Sequence, residues 1–490
     1  MSRKPTICGF LMVIIAGFGC LCRAQDRNFT AVRATVDFSK VLRLWDGFGV
    51  NYVETAQTPD YSEDAQEYGG FSLLTESDRG KILDMIFGDD GLRPGVVKMF
   101  FGPFHQTEPG GAFDHEKTTN WMRYFVRGGL KTTRARGDDL QIFTTLYGPP
   151  AYVTKQKFVR GRDLDPDHKY DCAQYIVDWA RYLKEQGFPI RYVSLHNEGE
   201  DWRRWPASGE TANWERGHDY NLFWSPEQVV EFIKILRPLL DRANLEEVGI
   251  TPGECTNWYR FSAWGYADAI AEDEGALAAL GLITSHGFYG GNYGRWFGEH
   301  RSVGTDILRA RRPDLHAWVT STSWSKMDAD NIKEMHGNIY TAKVNSITPW
   351  ACIQRPEKWV GGDPNPGTAF RVYEDGTYEV MRGYYVYKQV CRAGQPGMGV
   401  AWTAAMDSEV ALIAFSSNET DNPDSFIVTN LGKEAKTIAV HVKGSGSRAF
   451  EAFRTTDEGE RYRAIGSHQL KEDQVLYDAP ARSVTTFLGK

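Results

Sequence analysis

The pattern of apolar and polar positions divides the chain into three parts. Residues 30–45 alternate between the two, which predicts a strand before any helix. From there to about residue 350, short apolar runs alternate with segments of helical periodicity. With Phe48–Val50 counted first, the pattern predicts eight strands, and the other seven are Val96–Phe101, Gln141–Leu146, Tyr192–Leu195, Val248–Thr251, Leu282–Ser285, His316–Thr320 and Ser346–Trp350.

Helical segments lie between these strands, and they include Ser77–Phe87, Cys172–Gln186, Ser225–Ala243 and Ala329–Ala342. Eight strands with helical connections are typical of a (β/α)8 barrel. After residue 370, short alternating runs separated by turns predict an antiparallel β-sandwich. We therefore predict an α/β protein, with a TIM barrel over residues 46–370 and a side-packed β-sandwich over residues 371–490, which the N-terminal segment 25–45 joins.

The first 24 residues predict a secretory signal peptide. Arg3 and Lys4 precede an apolar run from Ile7 to Cys22, and Cys22-Arg23-Ala24 offers a cleavage site. The apolar run is too short for a membrane span. We therefore expect a secreted protein, periplasmic or extracellular, with no membrane span.

Charge and cysteine content exclude two classes of partner. The net charge is −8, and removal of residues 1–24 makes it more negative by three, which argues against nucleic acid. Four cysteines remain after cleavage, and their wide separation does not give the spacing of a zinc site: Cys172, Cys255, Cys352 and Cys391. The sequence leaves both their pairing and the oligomeric state open.

The strongest candidate for chemistry follows the fourth predicted strand. That strand ends in Asn197 and Glu198, with Trp202 a few residues later. A carboxyl group at the carboxyl end of a barrel strand points into the active site, where it can protonate a leaving-group oxygen. Asn197 could hold a substrate hydroxyl, and Trp202 offers an apolar face.

Other strand ends carry aromatic and hydrogen-bonding residues, namely Tyr147, Glu254, His286, Tyr289, Trp350 and Arg355. Aromatic rings stack on the C–H face of a sugar while polar groups bind its hydroxyls. Each residue alone is more often a packing residue than a ligand contact. Together, at successive strand ends, they predict a carbohydrate site.

Several motifs resemble those of glycoside hydrolase family 30. Asp46-Gly47-Phe48-Gly49 is similar to its first-strand motif, and Gly148-Pro149-Pro150-Ala151-Tyr152 to its third-strand turn. Ser194-Leu195-His196-Asn197-Glu198 matches its acid/base strand, although Pro usually follows the Glu there. Residues 345–355 resemble the eighth strand of the family. Residues 383–387 and 481–487 resemble segments of its sandwich. The resemblance covers nearly the whole chain after residue 24.

The resemblance implies a hydrolase that cleaves β-linked glycosides of an oligo- or polysaccharide, without a cofactor. Glu198 would be its general acid/base. In the family the seventh strand usually reads Trp-x-Thr-Glu and ends in the nucleophile, but here Ser321 follows Trp318-Val319-Thr320. Trp324, soon afterwards, would line a sugar subsite.

A serine at the nucleophile position leaves three interpretations. Another carboxylate, Glu254 or Glu200, could act through water in an inverting enzyme. The chain could bind sugars without cleaving them. Or Ser321 replaces the nucleophile of an active retaining enzyme. The sugar, the linkage and the choice between exo and endo cleavage remain open.

Overall fold

The computed structural model describes residues 31–54, 67–210, 220–288, 302–359, 363 and 365–490. The expected signal peptide, residues 1–24, and the candidate residue Tyr289 lie outside the described residues. Within the described ranges, no helix has the length and hydrophobicity to cross a membrane. Cys172, Cys255, Cys352 and Cys391 are buried free thiols.

Eight parallel strands form the predicted barrel. They are β2 (Gly47–Asn51), β3 (Val96–Phe101), β4 (Gln141–Leu146), β5 (Ile190–Ser194), β6 (Gly249–Thr251), β7 (Ile283–Ser285), β8 (Ala317–Ser323) and β9 (Ser346–Trp350). Their order in the sheet is β6-β5-β4-β3-β2-β9-β8-β7. Parallel bridges from Ile250 to Leu280 and from Cys255 to Ser285 close the sheet between β6 and β7. The prediction of a TIM barrel is confirmed.

Helices surround the barrel: α1 (Glu76–Phe87), α2 (Asn120–Ala135), α3 (Lys169–Glu185), α4 (Pro226–Arg242), α5 (Trp258–Ala263), α6 (Tyr266–Glu272), α7 (Glu274–Ala279), α8 (Val303–Arg311) and α9 (Ala329–Tyr340). Side-chain caps fix where several begin. Thr75 accepts a hydrogen bond from the backbone of Asp78, and Ser225 does the same for Gln228. Such caps satisfy amide groups that have no partner within the helix.

A nine-stranded sheet forms the second unit. Its strands are β1 (Val32–Leu44), β13 (Gly399–Ala405), β14 (Val410–Ser416), β15 (Ser425–Asn430), β16 (Lys436–Lys443), β17 (Ala449–Thr456), β18 (Arg463–Gln469), β19 (Gln474–Ala479) and β20 (Ser483–Gly489). Their order is β18-β17-β20-β15-β14-β13-β1-β16-β19. The N-terminal strand β1 is inside this sheet, antiparallel to β13 and parallel to β16. The prediction of a β-sandwich beside the barrel is confirmed.

Residues between the barrel and the sandwich form other elements. A small sheet contains β10 (Ile353–Gln354), β11 (Phe370–Val372) and β12 (Tyr378–Val380), and helix α10 (Arg382–Ala393) follows it. Residues 383–387, which resemble a sandwich segment in sequence, thus lie in a helix. The spacing of its buried side chains Tyr384, Tyr387 and Cys391 is three and four residues, which is the period of a helix and not of a strand.

The sandwich and the barrel share buried surface. Along β14, Leu412 and Ala414 belong to the sandwich core, whereas Ile413 and Phe415 belong to the core that includes the barrel. Successive side chains of a strand point to opposite faces, so β14 is buried on both faces. This double burial packs the sandwich directly against the barrel and α10.

Removal of a single hydroxyl group can test this packing. Tyr387 on α10 is fully buried and donates a hydrogen bond to the carbonyl of Gly49 in β2 at 2.6 Å. We expect Tyr387→Phe to lower the free energy of unfolding by about 1–2 kcal/mol, because it leaves that carbonyl without its donor. Urea denaturation measures the change. The control is Tyr385→Phe, a half-buried tyrosine of the same helix, for which we expect about 0.5 kcal/mol or less. Equal effects would contradict the role of the hydroxyl.

Candidate active site

Glu198 lies just beyond the carboxyl end of β5. The chain there continues the barrel pairing for a few residues, because Glu254 N–H donates to the carbonyl of His196 at 3.0 Å and Glu198 N–H donates to the carbonyl of Glu254 at 2.8 Å. Glu198 has φ of 51°, in the left-handed region that side chains other than glycine seldom adopt. A non-glycine residue held in this conformation is strained, and such residues concentrate at functional sites.

The carboxylate of Glu198 contacts two basic groups. His286 Nδ1 lies 2.6 Å from Oε1, and Arg204 donates from its guanidinium to Oε2 at 3.0 Å. Arg204 also donates to the backbone carbonyl of Glu198 at 2.6 Å, which fixes its position. Glu198 is therefore buried between an imidazole and a guanidinium, and both contacts favour its ionised form.

Glu254, beyond the end of β6, is the second carboxylate of the site. Lys98 Nζ lies 2.5 Å from its Oε2, and both side chains are fully buried. Thr145 donates to Oε1 at 2.5 Å, and His286 Nε2 lies 3.1 Å from Oε2. Burial alone would raise the pKa of Glu254, but Lys98 and His286 outweigh it and lower the pKa to about 2. Glu254 is thus held as a carboxylate.

His286, at the end of β7, links the two carboxylates. Its Nδ1 faces Glu198 and its Nε2 faces Glu254. Burial alone would lower the pKa of this imidazole, but the two carboxylates outweigh it, and the pKa is raised above its ordinary value. One ring therefore connects the side chains that β5 and β6 bring into the site.

Ser321 lies in β8 on the same side of the barrel. Lys98 Nζ donates to its Oγ at 2.9 Å and to the carbonyl of Thr320 at 3.1 Å, and the Ser321 hydroxyl donates to that same carbonyl. Because Lys98 is paired with Glu254, its charged amine cannot accept the proton of Ser321. Among the described residues, the hydrogen-bond partners of Ser321 therefore include no base that would make this serine a nucleophile.

Tyr147 and Trp350 are buried aromatic residues, at 1% and 7% exposure, and belong to the same apolar core as Trp324. Their ring planes are 13° apart, and both rings contact Phe100 edge to face. Trp350 also donates to Asp363 at 3.2 Å. Trp202 is 58% exposed, on the short helix that carries Arg204, and its ring is open to a ligand. Asn197 is buried, and its carbonyl accepts from the side chain of Asn221.

Two predicted subsite residues lie elsewhere. Trp324 is 1% exposed and packs edge to face against Tyr387 of α10, so its ring is part of the core and has no face for a sugar. Arg355 is buried, donates to the carbonyl of Glu67 and pairs with Glu374 at 3.3 Å. Its guanidinium holds two chain segments together.

Sequence reasoning missed three contributors, Lys98, Arg204 and Thr145. Lys98 had a clear signal, because it is the one charged residue in the apolar strand Val96–Phe101, where a buried cation needs a partner. Arg204 lay among several arginines after Glu198, and Thr145 looked like an ordinary strand residue. Nothing in the sequence distinguished these two.

Comparison with solved structures defines the class of fold. The chain resembles an endoxylanase of glycoside hydrolase family 30 from Clostridium papyrosolvens, with 18% identity and a TM-score of 0.64 over 94% of this chain and 100% of that one. A subfamily 8 xylanase of the same family, from Clostridium acetobutylicum, has 18% sequence identity and a TM-score of 0.67, and the match covers 94% of this chain and 99% of that one. An endo-β1,6-glucanase has 17% identity and a TM-score of 0.67, and the match covers 94% of each chain. No protein-family model matches the chain. The resemblance to family 30 is therefore confirmed for the fold.

The buried ion pair gives a test of the site's electrostatics. We expect Lys98→Met to lower the free energy of unfolding at pH 7 by about 3–5 kcal/mol, because it removes the buried positive charge that lies 2.5 Å from the buried carboxylate of Glu254. The pKa of Glu254 is about 2 in the folded chain and 4.5 ordinarily, so its stabilising contribution is complete above pH 4.5 and is lost as the pH falls towards 2. The difference in the free energy of unfolding between the parent protein and Lys98→Met should therefore become smaller as the pH drops below 4.5.

Two further variants serve as controls for Lys98→Met. The double variant Lys98→Met, Glu254→Gln removes both charges and should recover part of the lost stability. Lys81→Met removes an exposed lysine and should leave stability unchanged. If the single and double variants unfold alike at every pH, the stabilisation does not come from the ion pair.

Proposed function

We propose that this protein is a glycoside hydrolase that cleaves β-linked glycosidic bonds of an oligo- or polysaccharide, with Glu198 as general acid/base. The observation that carries the proposal is the position of Glu198 at the carboxyl end of β5, beside Asn197, in a barrel shaped like those of xylanases and a β1,6-glucanase. The N-terminal sequence supports export of the chain, so its substrate would be an external glycan.

Each part of the site has a use in this reaction. Trp202, which is exposed, supplies an aromatic platform for a sugar, whereas the Tyr147 and Trp350 rings pack against each other in the core. Asn197 would hold a hydroxyl, and Glu198 would protonate the glycosidic oxygen as the bond breaks. Side chains alone perform these steps, so the reaction needs no cofactor.

The second carboxylate decides the stereochemistry. Ser321 is neutral, so a glycosyl-enzyme would need another nucleophile. Glu254 is the second ionised carboxylate of the site, but it is fully buried and engaged by Lys98, Thr145 and His286. We therefore place Glu254 in the electrostatic support of the site. Glu254 would act on a water molecule in an inverting reaction only if substrate binding opened a path to it.

A second candidate function is sugar binding without cleavage. It is favoured by one observation, the neutral Ser321 where the family's nucleophile would stand. The exposed ring of Trp202 would serve both functions equally. Turnover distinguishes them, because a silent binding protein retains affinity for a glycan and releases no product.

Glu198 can be tested on a panel of xylan, β1,6-glucan and other β-glycans. We expect Glu198→Gln to reduce turnover of the cleaved glycan by a factor of about 10²–10⁴, since the amide keeps the shape and removes the proton. The control is Glu210→Gln, an exposed glutamate a few residues away, which should leave turnover unchanged. Binding without turnover by the parent chain would favour the second function. Turnover unaffected by Glu198→Gln would exclude Glu198 as the acid.

Ser321 can be tested by restoring a carboxylate. We expect Ser321→Glu to create or raise activity with retention of the anomeric configuration, because the new carboxylate would stand about 5 Å from Glu198. The control is Ser321→Gln, which has the same shape without the charge. The anomer first released, identified by NMR, gives the result. If the parent already cleaves efficiently with retention and Ser321→Glu abolishes this, the nucleophile lies elsewhere.

A further inference from the structure

We infer that Glu254, His286 and Glu198 form a proton-supplying chain, in which Glu254 holds His286 as an imidazolium and His286 passes its proton to Glu198. The inference deepens the proposed function and rests on it for the role of Glu198. It assigns His286 and Glu254 as positioning residues that act through Glu198. The existence of the chain itself can be tested without any substrate.

The two contacts of His286 fix how many protons the three groups hold. His286 Nδ1 lies 2.6 Å from Glu198 Oε1, and Nε2 lies 3.1 Å from Glu254 Oε2. An ionised carboxylate only accepts hydrogen bonds, and a neutral imidazole donates only one. Both contacts are satisfied only when the three groups together hold two protons. These are either both on the ring, or one on the ring and one on a carboxyl group.

The surroundings locate the second proton. Glu254 lies against Lys98, so it stays ionised, and its pKa of about 2 agrees with this. The proton is therefore shared across the 2.6 Å contact between the ring and Glu198. Arg204 on the other oxygen of Glu198 favours the carboxylate, which leaves the proton on the ring at rest.

The other charged groups around the ring do not change this assignment. Burial lowers the pKa of His196 to about 4, so this imidazole is neutral at pH 7. Glu200 is ionised and paired with Arg260 at 2.7 Å. Among the described residues, Glu198 and Glu254 contact the ring, and His196 interacts with it electrostatically. Lys98 lies against Glu254, Arg204 lies against Glu198, and Glu200 interacts electrostatically with Glu198. The two carboxylates in direct contact with the ring outweigh the rest, and its pKa is raised.

The transfer balances over one hydrolytic cycle. The proton moves from His286 Nδ1 to Glu198 Oε1, and Glu198 protonates the glycosidic oxygen as its bond to the anomeric carbon breaks. The departing sugar leaves with a hydroxyl group. A water molecule then bonds to the anomeric carbon and releases a proton to solvent, and the ring regains one proton from solvent through Glu198. Water has been added across the bond, and the chain again holds two protons.

The first experiment is ¹⁵N NMR of the histidine side chains in the full-length chain without substrate, with His286→Gln to assign the signal. We expect both ring nitrogens of His286 to carry protons at pH 7 and the ring to titrate above the ordinary midpoint of about 6.5. Glu254→Gln should lower that midpoint by about one to three pH units. His316, paired with Asp46 in the same barrel, is the internal control, and its ¹⁵N signals should be the same in both proteins.

The spectrum of the unaltered chain is decisive even if Glu254→Gln fails to fold. A neutral His286 ring at pH 7 would overturn the inference. A doubly protonated ring supports it. A midpoint that is the same in folded Glu254→Gln would show that Glu254 does not hold the charge, and this result would also overturn it.

The second experiment uses the glycan that the protein cleaves. The alkaline limit of kcat/KM should follow the titration of His286 and move to lower pH in Glu254→Gln. His286→Gln should reduce kcat by a factor of about 10²–10³ on that glycan, and far less on a dinitrophenyl glycoside, whose leaving group needs no proton. Equal losses on both substrates would overturn the role in proton supply. If His286 is an imidazolium but the protein cleaves no glycan, the inference that the three residues share protons stands, and the proposed hydrolase function is wrong.

Discussion

The buried pair of Lys98 and Glu254 is the constraint on which the site depends. Moving two full charges out of water costs several kcal/mol for each ion, and only close contact with further hydrogen bonds offsets this. Here Thr145 and His286 complete the contacts of the carboxylate, and Ser321 and the carbonyl of Thr320 those of the amine. Five barrel strands or strand ends are thereby held in one arrangement, and that arrangement fixes the ring beside Glu198.

This pair also explains how the barrel accommodates a serine after Thr320. A hydroxyl group is smaller than a carboxylate, and the Lys98 amine fills the position beside it. The negative charge beside Lys98 lies on Glu254, beyond β6. The amine of β3 and the carboxylate beyond β6 therefore balance each other, and the neutral Ser321 adds no charge to the pair.

Strands and helices with a regular hydrophobic pattern could be predicted from the sequence, but the tertiary contacts of individual side chains could not. The eight barrel strands and four predicted helices lie within a few residues of their predicted bounds, because each apolar face is regular. The helix Arg382–Ala393 resembled a sandwich segment, since three tyrosines suit a strand as well as a buried helix. Trp324 follows a strand end but turns into the core. Tyr147 and Trp350 lie at strand ends and are buried as well, so the position of an aromatic residue in the sequence does not show whether its ring faces a ligand.

The position of β1 has a consequence for the order in which the protein can fold. Among the described strands β1 comes first in the chain, yet its partners in β13 and β16 lie 355 to 406 residues later. The barrel begins at β2, directly after β1, so the pairing of β1 with the sandwich spans the whole barrel sequence. Contacts so distant along the chain form slowly and only after translation is nearly complete. Until then β1 has exposed edges and an apolar face, which makes the nascent protein a candidate for chaperone binding.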